Sequence, residues 1–489
     1  MTNLLNEDLG ELVLQAAIAS RDVYAALASK GYERRQDVHA FEENEAGWPS
    51  NVESSAGAIR DGAPLDWNGT IGTTRGKSTT FALYISDVPA IQTLADFVGG
   101  DTELVSRISA TSAYADTAER QKEAVEFDAV RLVRSVLNRA EAQGDTSDEN
   151  LLAIYSELEP GYLADVLTGD LLFPIALRKL SLDSSLRISD DISIRPLTQE
   201  EQLARVVAVG GGSDANPFLV AAATHVVVLE NREIDNGQGP LKRLIRFRYT
   251  PPGVTDADLV CEALTIASGL DVGYAQVCIL PKGWADNTWK LALPPISNVA
   301  TVAKYPLRLN DRGWLEQHDP IPLEALERLP QIFAALKSTD RRAQLASRRL
   351  AQTARRDRAD DVLIDACIGI EALLGQQHSE LVHRMGLRAA TALSAVGWDS
   401  ATAYEVLKKV YEHRSTIVHG GEPKKPTIAI SGKEYSTRDT AVYLLRALLK
   451  AHLSTVPPWT PESLDDDLHG ALAERQAARK ASGPPIEVE

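Results

Sequence analysis

The sequence predicts an α+β multidomain protein in which a mixed α/β N-terminal region is followed by an all-α helical bundle. Two observations carry that prediction. At 489 residues the chain exceeds what one hydrophobic core usually holds. Its apolar pattern also changes along the length. Helical spacing recurs between about 90 and 170, short β-branched runs dominate 171–305, and uninterrupted helical spacing begins near 322. These changes predict boundaries at 1–170, 171–330, 331–456 and a tail over 457–489.

Residues 1–40 have a helical pattern, and 41–80, rich in Gly, Ser, Thr and Asn, predict loop with short strands around Trp48 and Trp67. Phe81–Ile85 predicts a strand, and Ala129–Leu137 shows the 3.6-residue period of the helical stretch that follows. Strands are predicted at Leu171–Ile175, Ile192–Pro196, His225–Leu229, Leu244–Arg248 and Tyr274–Leu280, with a helix over Asp256–Ser268. Helices are then expected near 323–337, 339–357, 360–376, 379–396, 401–418 and 437–454. Gly420 and Gly421 stop the fifth, and Pro423 and Pro426 prevent its resuming. Thr427–Tyr435 predicts a hairpin, and the Pro-Pro pairs and acidic run after Pro457 predict an ordered linker followed by a frayed tail.

Composition narrows the function classes. With 44% hydrophobic and 24% charged residues the chain has ordinary globular usage. No apolar run approaches the roughly 20 residues of a bilayer span, and the acidic N-terminal stretch predicts an amphipathic helix, not a secretory signal. Three cysteines, Cys261, Cys278 and Cys367, none in a CxxC arrangement, predict a reducing cytoplasm and no cysteine zinc site. The net charge of −17 excludes wholesale coating of nucleic acid, so any RNA contact must be local.

Four local patterns could carry chemistry. Gly72–Ser78 has the look of a phosphate loop, but Ile71 stands where the first glycine belongs, and a strand is expected to follow. A turn is the better reading. His378 and His383 are five apart without the intervening glutamate of zinc peptidases, so no metal is predicted there, and no cofactor elsewhere. Arginine pairs recur every seven residues at Arg341-Arg342, Arg348-Arg349 and Arg355-Arg356, nearly two helical turns apart, and so form one stripe, extended by Arg358. The stripe is either a solvated face paired with acids on a neighbouring helix or a track for RNA phosphates. Finally, Arg414 and His419 form an Arg-x4-His pattern, of which Arg34 and His39 are a second, isolated instance.

Context separates those two instances. Asp360–Leu374, with Asp365 and Glu371, is followed by Glu380–Ala390, with Arg384 and Arg388, and then by Val410–Gly420, with Tyr411, Arg414, Ser415 and His419. In order, spacing and helical placement these three blocks resemble the Apea-like HEPN domain family, over roughly 331–456. The preceding region is similar in layout to the N-terminal parts that accompany this domain in bacterial anti-phage proteins. The resemblance implies a homodimer cutting RNA without metal, with its motif on Arg414 and His419. Ser415 holds a place where many such nucleases carry Asn, Asp or His. It further implies an RNA target such as tRNA or another host RNA, a sensing or regulatory role for 171–330, a phage protein as trigger and a role in defence. The alternative within the same family is a fold kept for dimerisation or RNA binding without cleavage.

The residue types suit the chemistry. A base that removes the RNA 2′-proton lets that oxygen attack the adjacent phosphorus, and the departing 5′-oxygen needs a proton. Histidine can do either near neutral pH, and a guanidinium can hold two oxygens of the charged transition state. The products would be a 2′,3′-cyclic phosphate and a 5′-hydroxyl. Residues five apart on an ideal helix diverge by about 140°. Arg414 and His419 therefore converge only if the last turn loosens at Gly420-Gly421 or a two-fold partner completes the site. The bland alternative pairs Arg414 with Asp365 or Glu371 and makes His419 a helix cap. Glu371, inside an apolar run, needs a cation, and Arg384 and Arg388 are its expected partners unless they contact RNA. Tyr411 either stacks on a base or packs in the core.

Overall fold

A computed structural model describes residues 4–27, 35–36, 38–54, 63–73, 81–109, 111–112, 115–209, 216–286, 293–375, 381–423, 425–430 and 432–482. Arg34, the glycine-containing stretch with Lys77 and Ser78, His378 and Glu380 lie outside the described residues. The chain is mixed α/β with a helical C-terminal region.

The first unit is mainly helical. It runs through α1 (Glu7–Leu27), β1 (Val38–Glu43), β2 (Pro49–Ser54), β3 (Ile71–Gly72), β4 (Leu83–Tyr84), α2 (Pro89–Gly100), α3 (Thr102–Ile108), α4 (Ala118–Gln143) and α5 (Asp148–Leu163). Leu9, Val13, Leu94, Val133, Leu137, Leu151 and Leu158 interlock into its core, and Trp67 is buried in it. The strand expected over Phe81–Ile85 shortens to Leu83–Tyr84, because a 3-10 turn takes Ile85–Asp87.

The second unit is a six-stranded sheet. Its elements are β5 (Val166–Pro174), β6 (Leu186–Ser189), β7 (Ile192–Pro196), α6 (Gln199–Val207), α7 (Pro217–Ala221), β8 (His225–Asp235), α8 (Gly239–Tyr249), α9 (Val254–Ser268), β9 (Tyr274–Pro281) and β10 (Ser297–Lys304). The strand order is β10-β9-β5-β8-β7-β6, and every pairing is antiparallel. Side chains alternate between faces. Leu171, Phe173, Val227, Leu229, Val277 and Ile279 enter the large core, while Leu172, Val226, Val228 and Cys278 enter a smaller one behind the sheet. Both faces are covered, which is why these strands read as continuous apolar runs.

One expected strand is a helix. Leu244–Arg248 lies inside α8, whose first turn carries Pro240. The residues facing inward are Arg243 and Phe247, four apart, whereas Leu244 and Ile245 are exposed. A buried arginine, held by Asn236 and Asp286, thus supplies the helical period that the apolar pattern hides.

The third unit comprises α10 (Leu323–Glu327), α11 (Leu329–Ser338), α12 (Arg341–Thr353), α13 (Ala359–Leu374), α14 (Leu381–Ser394), α15 (Ser400–Val418), the hairpin β11 (Thr427–Ile430) and β12 (Lys433–Ser436), α16 (Thr437–Ser454) and α17 (Pro461–Ser482). Its core is continuous with the sheet's: Phe173, Val260, Leu264, Phe333, Leu350, Leu373 and Leu445 belong to one buried cluster that runs unbroken past residue 330. Gly369 lets α16 approach α13, since a Cβ there would lie 2.6 Å from Leu445 Cδ2.

After Pro457, where an ordered linker and then a frayed tail were expected, the chain forms the helix α17. Thr460 caps α17, exchanging hydrogen bonds with Ser463, and Trp459 and Leu464 on either side of the cap are both buried in the main core. Among the described residues no helix is long and apolar enough to cross a membrane.

Candidate functional site

Helix α15 positions the Arg-x4-His pattern. Asp399 starts it, accepting the Thr402 N–H at 2.8 Å and the Thr402 hydroxyl at 2.7 Å. At the other end the Gly420 N–H donates to Ile417 O at 2.9 Å and the Gly421 N–H to Thr416 O at 2.9 Å. This is a Schellman closure, and Gly420 takes the left-handed φ of +78° it requires. His419 is the C-cap residue, and its own N–H still reaches Ser415 O at 3.1 Å.

The backbone therefore stays hydrogen-bonded as a helix up to the His419 N–H. Residues five apart on such a helix diverge by about 140°, so the regular last turn does not bring the two positions together within one chain. His419 and Ser415 are exposed. Arg414 is half-buried against α13, with Nη2 3.5 Å from Glu371 Oε1 and a buried Nε that has no hydrogen-bond partner among the described residues. Tyr411, one turn earlier, is buried and donates its hydroxyl to Cys367 O at 3.2 Å, so it belongs to the core. Burial pushes the Tyr411 hydroxyl well above its ordinary pKa.

Glu371 meets Arg414, not Arg384 or Arg388. Those two turn to Asp465 on α17. Arg388, fully buried, donates to Asp465 Oδ1 at 2.8 Å, to Oδ2 at 2.7 Å and to Leu374 O at 2.6 Å, while Arg384 reaches Asp465 at 3.3 Å. Hydrogen bonding to Arg388 holds the Asp465 carboxyl below its usual range. Arg388 is thereby removed from any surface that RNA could touch. Asp465 was not a sequence-predicted residue. The Thr-Pro-x-Ser cap before it and the apolar pair around that cap were the signal that the tail is helical.

The arginine stripe divides. Helix α12 ends at Thr353, so Arg355, Arg356 and Arg358 lie beyond it. Asp365, buried in α13, binds Arg349 at 2.7 Å and Arg356 at 2.6 Å. Arg355 approaches Asp258 of α9 at 4.0 Å, and Arg348 lies close enough to Glu262 to influence it. Arg341 and Arg348 are exposed. The paired-face reading thus describes Arg349 and Arg356, while Arg341 and Arg348 remain open to solvent.

Glu262 is a further residue that periodicity hides. It is buried in α9 and accepts the Ser347 hydroxyl at 2.6 Å. Burial raises its carboxyl to about 7. His383 shares a 2.8 Å hydrogen bond with the Tyr404 hydroxyl. Among the described residues no group of three or more His, Cys, Asp or Glu could hold a metal ion. Comparisons of the chain with models of known families, with curated proteins and with solved structures found no match.

Proposed function

We propose that the chain is a metal-independent endoribonuclease of the Apea-like HEPN type that acts in anti-phage defence as a homodimer. His419 is its general acid or base, and Arg414 holds the scissile phosphate. One observation carries the reading: His419 stands exposed at the end of α15, with Arg414 a turn behind it, partly open and bound to Glu371 only at 3.5 Å. A guanidinium held at that distance can be taken by phosphate oxygens, which offer two parallel charge-assisted bonds. Because the regular last turn keeps the two side chains apart within one chain, the active unit is a pair of α15 ends related by a two-fold axis. Each end then supplies one imidazole, one as base and one as acid.

The test is incubation of the full chain with tRNA and total RNA in chelator, followed by end mapping. Cleavage leaving 2′,3′-cyclic phosphate and 5′-hydroxyl ends is expected, reduced about 10²–10⁴-fold by His419→Ala. No cleavage dependent on His419, in extracts and in cells expressing phage genes that arrest growth, would remove the reading.

The Arg414–Glu371 pair also favours a second reading, a helical module kept for dimerisation or RNA binding. In that case Arg414→Ala and His419→Ala leave toxicity and protection unchanged. Substitution of the open Arg348 instead weakens RNA retention, with a shallower salt dependence.

A further inference from the structure

Between the sheet and the helical bundle lies a cavity of about 440 Å³, lined among others by Asp271, Arg308, Arg356, Arg438, Asp439 and Arg446. Asp271 follows α9, Arg308 sits in the 3-10 turn Leu307–Leu309, and Arg438 and Arg446 project from α16. Both units therefore contribute to one polar wall.

The carboxylates around it are used unequally: Asp439 is taken by its neighbour Arg438 at 2.8 Å, whereas Asp271 is shared by two guanidiniums. Asp271 Oδ2 accepts from Arg308 at 2.5 Å, and its Oδ1 lies 3.7 Å from Arg446 Nη2. Arg178 adds a third guanidinium, donating to the Asp271 backbone carbonyl at 3.0 Å. Asp365 in turn holds both Arg349 and Arg356. The wall itself sets four guanidiniums, those of Arg308, Arg356, Arg438 and Arg446, against three carboxylates, those of Asp271, Asp357 and Asp439, in a chain whose net charge is −17. Arg446 is the least exposed of the lining arginines, at 16%, and its Nε is buried without a hydrogen-bond partner among the described residues. Desolvation at that depth disfavours its charge, an imbalance that an incoming anion would relieve.

We propose that this cavity binds a small phosphorylated ligand, its phosphoryl oxygens taking the donors of Arg446 and Arg308 that Asp271 leaves unfilled. Guanidinium pairs match phosphate geometry, and the volume falls in the range of small-molecule sites. Among the described residues no aromatic stands in the lining, so recognition runs through phosphate and not through a stacked base. Bound there, the ligand ties the connection after β10 to α16 and so couples the sheet to the bundle. The site is separate from Arg414 and stands whether or not RNA is cut.

The experiment is calorimetric titration of the full chain with inorganic pyrophosphate at constant ionic strength. Saturable one-site binding is expected, weakened at least about tenfold by Arg446→Gln and about tenfold by Arg308→Gln. Arg308, at 54% exposure, can be replaced without disturbing the core, so it decides the matter if the Arg446 variant does not fold. Absence of saturable binding, or binding undiminished in folded Arg308→Gln, would overturn the proposal. So would binding of a 5′-phosphorylated oligonucleotide without any of pyrophosphate, which would place the recognition on RNA.

Discussion

Arg388 and Arg414 stand on helices that flank α13, and each faces a carboxylate, but the two pairs are built differently. Arg388 is buried, with its donors spent on Asp465 and the Leu374 carbonyl at 2.6–2.8 Å. Arg414 is 31% exposed and reaches Glu371 at 3.5 Å. Removing a buried ion-pair partner leaves the other charge or carbonyl unsatisfied, whereas a loose half-exposed pair is screened by water. The first arrangement fastens α17 to α14. The second keeps a guanidinium available.

The sharpest way to break this contrast is Arg388→Ala, which is expected to cost about 3–5 kcal/mol in urea unfolding and to expose α17 to protease. A loss below ~1 kcal/mol would erase the distinction. Asp465→Asn comes next, at about 1.5–3 kcal/mol near neutral pH, the worth of hydrogen bonds to a charged group. Its pH signature follows from the sign of the shift. The folded carboxyl lies below its unfolded value, so the pair's contribution is present above about pH 4 and is lost as pH falls through the depressed value. The parent should therefore lose its advantage over the Asn variant in acid.

Glu262 sharpens the comparison from the opposite side, because it is buried against a serine hydroxyl in place of a tight guanidinium. Its folded carboxyl is raised to about 7, above the unfolded value. Stability from this group is full below about pH 4 and is lost as pH rises through about 7. Glu262→Gln should match the parent at acid pH and exceed it by roughly 1–2 kcal/mol at pH 8 in thermal melts. The smallest effect belongs to Glu371→Gln, which should change stability by less than about 1 kcal/mol. A larger loss would mean that Arg414 is a structural anchor like Arg388 and not a free donor.

Much of this molecule follows from local pattern. The helices between 323 and 454, the hairpin after Pro426, the stop at Gly420-Gly421 and the strands at 171–175, 192–196, 225–229 and 274–280 are dictated by periodicity and by glycine and proline chemistry. Those forces act within a few residues, so one chain segment suffices to reveal them.

Which cation meets which carboxylate was decided only in three dimensions. Spacing along the chain made Arg384 and Arg388 natural partners for Glu371, yet Asp465, some 80 residues away, took them because α17 docks through Trp459 and Leu464. Likewise the inward face of α8 is built on Arg243, whose carboxylate partner Asp286 lies 43 residues away, outside any local window. Charges interact through space and are costly to bury alone, so their pairing is settled by the packing of distant elements, whereas periodicity, caps and turns are settled by the chain itself.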